Sequence, residues 1–188
     1  MLYFIFIEFS NLILVVMDIK EFFKNKSIKG IEKVKQLTNA IANKEITIED
    51  IKDVCKTLKD AEIAYCMEAI EAVTNSNPEI SNIEYLKLAS SYINSKSNSL
   101  KRESARLIGN IAMLYPNDLD KPIKSLLNNA NDNGTVVRWS AAYALSRIII
   151  LPEYANSKLY NQLVEICEKE EKNSIKNIYL KAFKKLKK

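Results

Sequence analysis

Hydrophobic residues recur at every third or fourth position along most of this chain of 188 residues. That spacing is typical of helices that bury one face. The helical segments come in four pairs, separated by short polar breaks: 46–58 with 58–73, 82–94 with 99–112, 118–130 with 136–149, and 155–168 with 174–186. An opening helical segment covers roughly 18–43. Because no stretch alternates apolar and polar residues between turn signals, the pattern predicts an all-α chain without a sheet.

The second segments of the last three pairs are copies of one another. They read "SLKRESARLIGNIA" (99–112), "VVRWSAAYALSRII" (136–149) and "SIKNIYLKAFKKL" (174–186), with spacings of 37 and 38 residues. Each carries a basic residue, at Lys101, Arg138 and Lys176, and a looser fourth copy at 58–73 has Asp60 there. Small or apolar residues follow 3, 4, 6, 7 and 10 positions later, which puts them on one helical face. We expect this face to pack closely against neighbouring helices.

The stretch "VVRWSAAYALSRI" resembles the HEAT repeat in its short bacterial and archaeal form, which is also found in phycobilisome-lyase-like proteins. The residues that fit the family motif are Val137, Arg138, Ala141, Ala142, Ala144, Leu145 and Ile148. Ser146 stands where the family has a glycine, whereas the 99–112 copy keeps Gly109. The resemblance covers roughly residues 46–188. It implies an armadillo-type α-α superhelix, a HEAT-like solenoid of about four helix pairs with an N-terminal capping helix, and it says little about function because such repeats serve many partners.

Residues 1–16, "MLYFIFIEFSNLILVV", are hydrophobic but lack the basic start and small-residue cleavage site of a secretory signal. With Glu8 and two further polar residues inside, the segment is also short for a membrane span of about 20 apolar residues. Three interpretations of this segment remain: it is an over-extended translation start, a membrane anchor, or a segment packed on the fold. The first is favoured because the sequence from Met17 resembles the start of a cytosolic protein. We therefore expect residues 17–188 to form a single domain.

The composition excludes several kinds of chemistry. The chain has no histidine, which removes Ser-His and Cys-His nucleophile pairs and imidazole metal ligands. Its three cysteines, at 55, 66 and 167, are widely spaced on apolar stripes and predict buried, reduced thiols in a cytoplasmic protein. We expect no catalytic residues, no metal and no cofactor. The net charge of the chain is +5, and residues 169–188 alone carry +6. The rest of the chain therefore has a net charge of −1.

Positions 1, 5 and 9 after the basic residue point away from the small-residue face. Second helices line the concave side in solenoids of the HEAT type, so these positions predict one continuous row of side chains there. The row comprises Ala61, Tyr65, Ala69, Arg102, Arg106, Asn110, Trp139, Tyr143, Arg147, Asn177, Lys181 and Lys185. Its basic and aromatic members are the predicted binding residues, called the strip below: Arg102, Arg106, Trp139, Tyr143, Arg147, Lys181 and Lys185.

Two neighbouring residues receive different interpretations. Arg138 occupies a repeat position, so we expect it to brace the turn between its paired helices. Trp139 belongs to the strip, and we interpret it as a rigid aromatic anchor of the kind that binding surfaces favour. The alternative is that neighbouring side chains cover Trp139, so that it takes no part in binding. The acidic pairs Glu49-Asp50 and Glu170-Glu171 are interpreted as helix caps or solvated charges.

Two functions from different classes follow from the strip. The first is a non-catalytic scaffold or adaptor that binds a protein or peptide on the concave surface. The second is nucleic-acid binding, in which the cations contact phosphates while Trp139 and Tyr143 stack on bases. A membrane is a partner only if residues 1–16 are an anchor.

The hypothesis that the protein is an enzyme has the least support from the sequence. DNA-repair glycosylases of the HEAT-like type use several tryptophans and an aspartate, and the strip has one tryptophan and no aspartate beside it. Deoxyhypusine hydroxylase requires His-Glu pairs, and a phycobilin lyase requires a bilin pocket that the sequence does not locate.

Overall fold

The computed structural model describes residues 4–9 and 12–187, without the side chains of residues 4–16. Two strands, β1 (Phe4–Phe9) and β2 (Leu12–Met17), precede the helices. The helices are α1 (Ile19–Lys24), α2 (Gly30–Ala42), α3 (Ile48–Cys55), α4 (Asp60–Ser76), α5 (Ile83–Tyr92), α6 (Asn98–Ile111), α7 (Asp120–Asn129), α8 (Thr135–Ile148), α9 (Pro152–Ala155), α10 (Leu159–Lys169) and α11 (Asn173–Leu186). Short 3-10 turns lie at Pro78–Ile80, Ala112–Leu114 and Pro116–Asp118.

The β1–β2 hairpin is a departure from the predicted absence of a sheet. Its strands are antiparallel, with Phe4 opposite Met17. Both consist mainly of aromatic and branched aliphatic residues, which favour extended backbone. The hairpin lies in the hydrophobic segment that the repeat analysis set aside, and Met17 at its end packs against the helical core. The packing of the other side chains of residues 1–16 lies outside the described residues.

The predicted repeat is confirmed in the helix boundaries. Helices α6, α8 and α11 have 14 residues each. Both ends of α8 lie 37 residues after those of α6, and both ends of α11 lie 38 residues after those of α8. The opening segment 18–43 differs from its prediction, because it divides into α1 and α2 at residues 25–29. The described chain from α1 onward is therefore all-α and repeat-like.

The second helices of the pairs form a continuous layer. Helix α4 packs on α2 and α6, α6 packs on α8, and α8 packs on α11. Ala141 and Ala142 are fully buried in this layer. At Gly109 of α6 an added Cβ would lie 2.9 Å from the Cα of Ala144 in α8, so the two helices meet almost backbone to backbone. The first helices, α3, α5, α7 and α10, contact one another much less.

Arg138 links successive helix pairs, in agreement with its predicted bracing role. Its guanidinium donates to the backbone oxygens of Asp132 and Asn133 at 2.9 and 3.2 Å. It also forms two hydrogen bonds with Glu170 at the end of α10, at 2.9 and 3.3 Å. Lys101, the equivalent residue of α6, pairs with Asp132 at 2.7 Å. The basic repeat position therefore ties its own helix to the end of the following first helix.

Asp50 and Glu170, one residue from each acidic pair, have different roles in the structure. Asp50 caps α3 as expected, since its side chain and that of Thr47 form a capping box. Glu170 is the C-cap residue of α10, in line with the capping interpretation, but it is not a solvated charge, because its side chain is only 4% exposed and pairs with Arg138. Burial alone would raise the pKa of Glu170, but Arg138 and the backbone N–H of Lys172 stabilise the carboxylate and lower it. All three cysteines are buried and free, as predicted.

Candidate binding face

The seven strip residues lie on three adjacent helices of the second layer. Arg102 and Arg106 are on α6, Trp139, Tyr143 and Arg147 are on α8, and Lys181 and Lys185 are on α11. Trp139 is 37% exposed, and Arg147, Lys181 and Lys185 are also exposed, whereas Arg102, Arg106 and Tyr143 are half-buried. The strip therefore has one accessible side, on α8 and α11, and one partly covered side, on α6.

Three strip residues form a stack along α8. The Trp139 and Tyr143 rings lie with centroids 5.7 Å apart and planes at 18°. The Arg147 guanidinium lies 4.5 Å from the centroid of the Tyr143 ring. Trp139 comes one turn before Tyr143 and Arg147 one turn after it, a spacing that brings all three side chains together on one face of the helix. The exposed tryptophan therefore has one packed neighbour, Tyr143, along the helix.

The tyrosine is also held by hydrogen bonds at its far end. Its hydroxyl donates to Oδ1 of Asn110 at 2.6 Å, and Oδ1 of Asn75 is 3.3 Å away. Burial raises the pKa of Tyr143, while the nearby Arg147 acts in the opposite direction. The phenol therefore stays protonated at neutral pH and serves as a donor to the amide of Asn110.

The two arginines of α6 are engaged by carboxylates that the sequence analysis missed. Arg106 pairs with Glu71 of α4 at 2.9 Å and with Glu103 at 3.3 Å. Arg102 pairs with Glu103 and, at 3.8 Å, with Glu68 of α4. Glu71 and Glu103 are 3% and 0% exposed. Because these three carboxylates offset both guanidinium charges, Arg102 and Arg106 are poorly suited to the free phosphate contacts that were predicted.

Glu103 is the most enclosed of these acids. Burial raises the pKa of Glu103, and the positive charges of Arg102 and Arg106 reduce that effect. A local signal was present in the sequence, since Glu103 follows Arg102 directly and precedes Arg106 by three residues, a spacing that brings side chains together on a helix. Glu71 had no such signal, because it reaches Arg106 from another helix.

The predicted row is interrupted at its third positions on α4 and α6. Ala69 and Asn110 are 0% and 1% exposed, so neither contributes to an accessible row. The amide of Asn110 donates to the backbone oxygen of Glu71 at 3.1 Å and to its carboxylate at 3.2 Å. The close approach of helices at neighbouring Gly109 explains why this part of the row is covered. Asn110 thus joins α4, α6 and α8 under the stack.

Surface depressions occur away from the strip. One of about 540 Å³ lies between α7 and α10 and includes Ile123, Leu127 and Leu159. Another, of about 310 Å³, surrounds Arg138 and Glu170. Neither is lined by a strip residue. Within the described ranges no group of three or more acidic or cysteine side chains could hold a metal ion, and none of the described helices is long and apolar enough to span a bilayer.

Comparison with known proteins supports the helical fold. No family model matches the chain, and no curated protein is similar to it in sequence. Two engineered proteins whose crystal structures were determined by the Northeast Structural Genomics Consortium are similar in structure. One has a TM-score of 0.62 and 16% identity over 90% of this chain and 79% of its own. The other has a TM-score of 0.69 and 14% identity over 90% of this chain and 47% of its own, and at such identities the likeness concerns the fold alone.

Proposed function

We propose that the chain is a HEAT-like α-solenoid that acts as a non-catalytic scaffold and binds a segment of another protein on the strip. Three features support the solenoid: the repeat spacing of α6, α8 and α11, the direct packing of successive second helices, and the looser contacts among first helices. In a stack of this kind, the layer with the closer contacts lies on the inner side of the curve. The strip would then line the concave surface. The buried, free thiols also fit a reducing compartment such as the cytoplasm.

The observation that carries the binding proposal is the ordered exposure of Trp139. An aromatic side chain that is 37% exposed presents a large apolar area to a partner. Its stacking on Tyr143, and the hydrogen bond from Tyr143 to Asn110, restrict its motion before any partner arrives. A side chain that is restricted before binding loses less conformational entropy on binding, which favours aromatic anchors at interfaces.

Nucleic-acid binding has less support than protein binding. The Tyr143 ring already packs against Trp139 and Arg147, which makes it less available to a stacking base. The carboxylates around Arg102 and Arg106 also repel phosphates. Lys181 and Lys185 of α11 are the residues that favour nucleic-acid binding, because they are exposed and could contact phosphates.

The test is affinity capture from the source cell with the full chain, compared with the Trp139→Ala/Arg147→Ala variant. A matched control, Met113→Ala/Lys124→Ala, removes one exposed apolar and one exposed basic side chain away from the strip. We expect a protein that is retained by the wild type and the control but lost by the strip variant, in samples treated with nuclease. Equal retention by all three chains, or loss of the captured material on nuclease treatment, would contradict the proposal.

A further inference from the structure

We infer that the segment bound on the strip is acidic: its carboxylates contact Arg147, Lys181 and Lys185 while an apolar side chain packs on Trp139. This inference rests on the proposed scaffold function and adds the chemistry of the partner. It follows from the distribution of charge along the layer of second helices, from the ion pairs that neutralise one half of the layer, and from the spacing of the cations in the other half.

Charge changes sign along the layer. Helix α4 contains four acidic residues and no basic one, whereas α8 and α11 together contain no acidic residue and six basic ones. Across the residues that the structure describes, only Arg138 of these six is paired with a carboxylate, that of Glu170. Helix α6, between them, contains three basic residues and Glu103. The positive potential of the layer is therefore concentrated on α8 and α11, at the end that also holds the exposed tryptophan.

The ion pairs increase this difference. Arg102 and Arg106 on α6 are compensated by the carboxylates of Glu68, Glu71 and Glu103. Among the described residues, Arg147, Lys181 and Lys185 have no carboxylate within 4.0 Å. Exposed cations without a carboxylate partner attract anionic groups and repel cationic ones, so they select the partner by its charge.

The repeat also sets the spacing of these cations. Since α11 repeats α8 after 38 residues, Lys185 is level with Arg147, and Lys181 is level with Tyr143. The axes of packed helices are about 8–10 Å apart. Alternate side chains of an extended peptide are about 6.6–6.8 Å apart on one side. Because long basic side chains can bend by a few Å, an extended segment that crosses α8 and α11 can place carboxylates at alternate positions on Arg147 and Lys185 together.

A peptide fits this surface better than a polynucleotide. In the described part of the chain, the strip has three cations without a carboxylate partner, and Trp139, the one exposed aromatic side chain there, already stacks on Tyr143. Stacked bases need several accessible ring faces along a basic groove. Each carboxylate of a peptide can be bound by a single basic side chain. One apolar side chain of the same peptide can pack on the single anchor, Trp139.

The experiment uses intrinsic fluorescence, since Trp139 is the only tryptophan of the chain and lies at the proposed contact. The probes are three short synthetic peptides that are identical except at alternate positions around a central leucine, where they carry Glu, Gln or Lys. A single-stranded oligothymidylate of similar length is the fourth probe. We expect the Glu peptide to change the Trp139 emission in a saturable way, with an affinity at least about tenfold higher than that of the Gln or Lys peptide.

Two charge-reversal variants locate the contact. Lys181→Glu/Lys185→Glu should weaken the Glu peptide by about tenfold or more, whereas Lys121→Glu/Lys124→Glu on α7 should change it by less than about twofold, because only the first pair faces the strip. Equal binding of the three peptides, no response to the Glu peptide, or tighter binding of the oligothymidylate would overturn the inference. A captured protein that is lost by Trp139→Ala/Arg147→Ala but kept by Lys181→Glu/Lys185→Glu would also overturn it, and would leave the scaffold proposal standing.

Discussion

Arg138 and Trp139 are neighbours in the chain but belong to different parts of the structure. Successive residues of a helix point about 100° apart, so one side chain can lie between helix pairs while the next lies on the outer face of the layer. Arg138 joins the turn at Asp132 to Glu170. Trp139 stacks on Tyr143 and remains 37% exposed. The two residues should therefore respond differently to substitution.

Trp139→Ala should lower the free energy of unfolding by about 1–2 kcal/mol, because the ring loses one stacking contact together with its partial burial. Tyr179→Ala is the comparison, because Tyr179 is 1% exposed and its truncation should cost about 3–5 kcal/mol. Denaturation by urea, followed by circular dichroism, measures both. A loss of about 3 kcal/mol for Trp139→Ala would mean that the tryptophan belongs to the core and that the strip is wrongly assigned.

Glu170→Gln should destabilise the protein in a manner that depends on pH. The pKa of Glu170 is lowered in the folded state, so its ionised form stabilises the fold above the ordinary glutamate pKa, and this contribution is lost as the pH falls through the folded-state value. We expect a loss of about 2 kcal/mol at pH 7, the size of a hydrogen bond to a charged group, and almost none in acid. If Glu170→Gln lowers the free energy of unfolding by the same amount at pH 7 and in acid, the ion pair with Arg138 is contradicted.

At the scale of the element, the contact between α6 and α8 depends on the absence of a side chain. Gly109 lies where a Cβ would meet the Cα of Ala144 at 2.9 Å and the Tyr143 ring at 3.1 Å. The Cα of Ala144 is backbone and cannot move without shifting α8, and the Tyr143 ring cannot move without disturbing the stack. The same glycine therefore affects both helix packing and the position of the strip.

Gly109→Ala should lower the free energy of unfolding by about 1–3 kcal/mol, because overpacking outweighs the gain of about 1 kcal/mol in helix propensity. Gly30→Ala is the matched control. There the added Cβ meets only the end of the Tyr65 side chain, at 2.5 Å, and that side chain can rotate. Thermal unfolding of the two variants should show a clearly lower Tm for Gly109→Ala. A Tm at or above that of the wild type would show that the helices are not in close contact at Gly109.

At the scale of the whole molecule, the helices from α1 to α11 share one core that runs through the layer of second helices. This core begins at Met17 and Ile19. Contacts are made mainly between neighbouring helix pairs, so the loss of a terminal segment should affect its neighbours more than the distant repeats.

A chain that begins at Met17 should remain soluble and unfold within a few degrees of the full chain, about the shift that 1 kcal/mol produces in a domain of this size. The reason is that it keeps α1 with its buried residues Ile19, Phe22 and Phe23. Differential scanning calorimetry of both chains is the measurement. Aggregation or a much lower Tm of the shorter chain would show that residues 1–16 belong to the fold.

The sequence by itself determined most of the helices and the repeat. These depend on the 3.6-residue period of apolar positions and on the copies spaced by 37 and 38 residues, which are local properties of the chain. It also identified the small residues Ala141 and Ala142 and the bracing role of Arg138. It did not predict the hairpin, because residues 1–16 lack the apolar period on which those predictions depend.

Only the tertiary structure decided which strip residues are available to a partner. Glu71 lies 35 positions before Arg106 in the chain, and the two meet because α4 packs on α6. Likewise, Asn110 occupies a predicted surface position but is buried where α6 approaches α8 at Gly109. Helical periodicity gives the direction of a side chain from its own axis. The neighbouring helix determines whether that direction leads to solvent, to a carboxylate or to another backbone, and this depends on contacts between residues far apart in the chain.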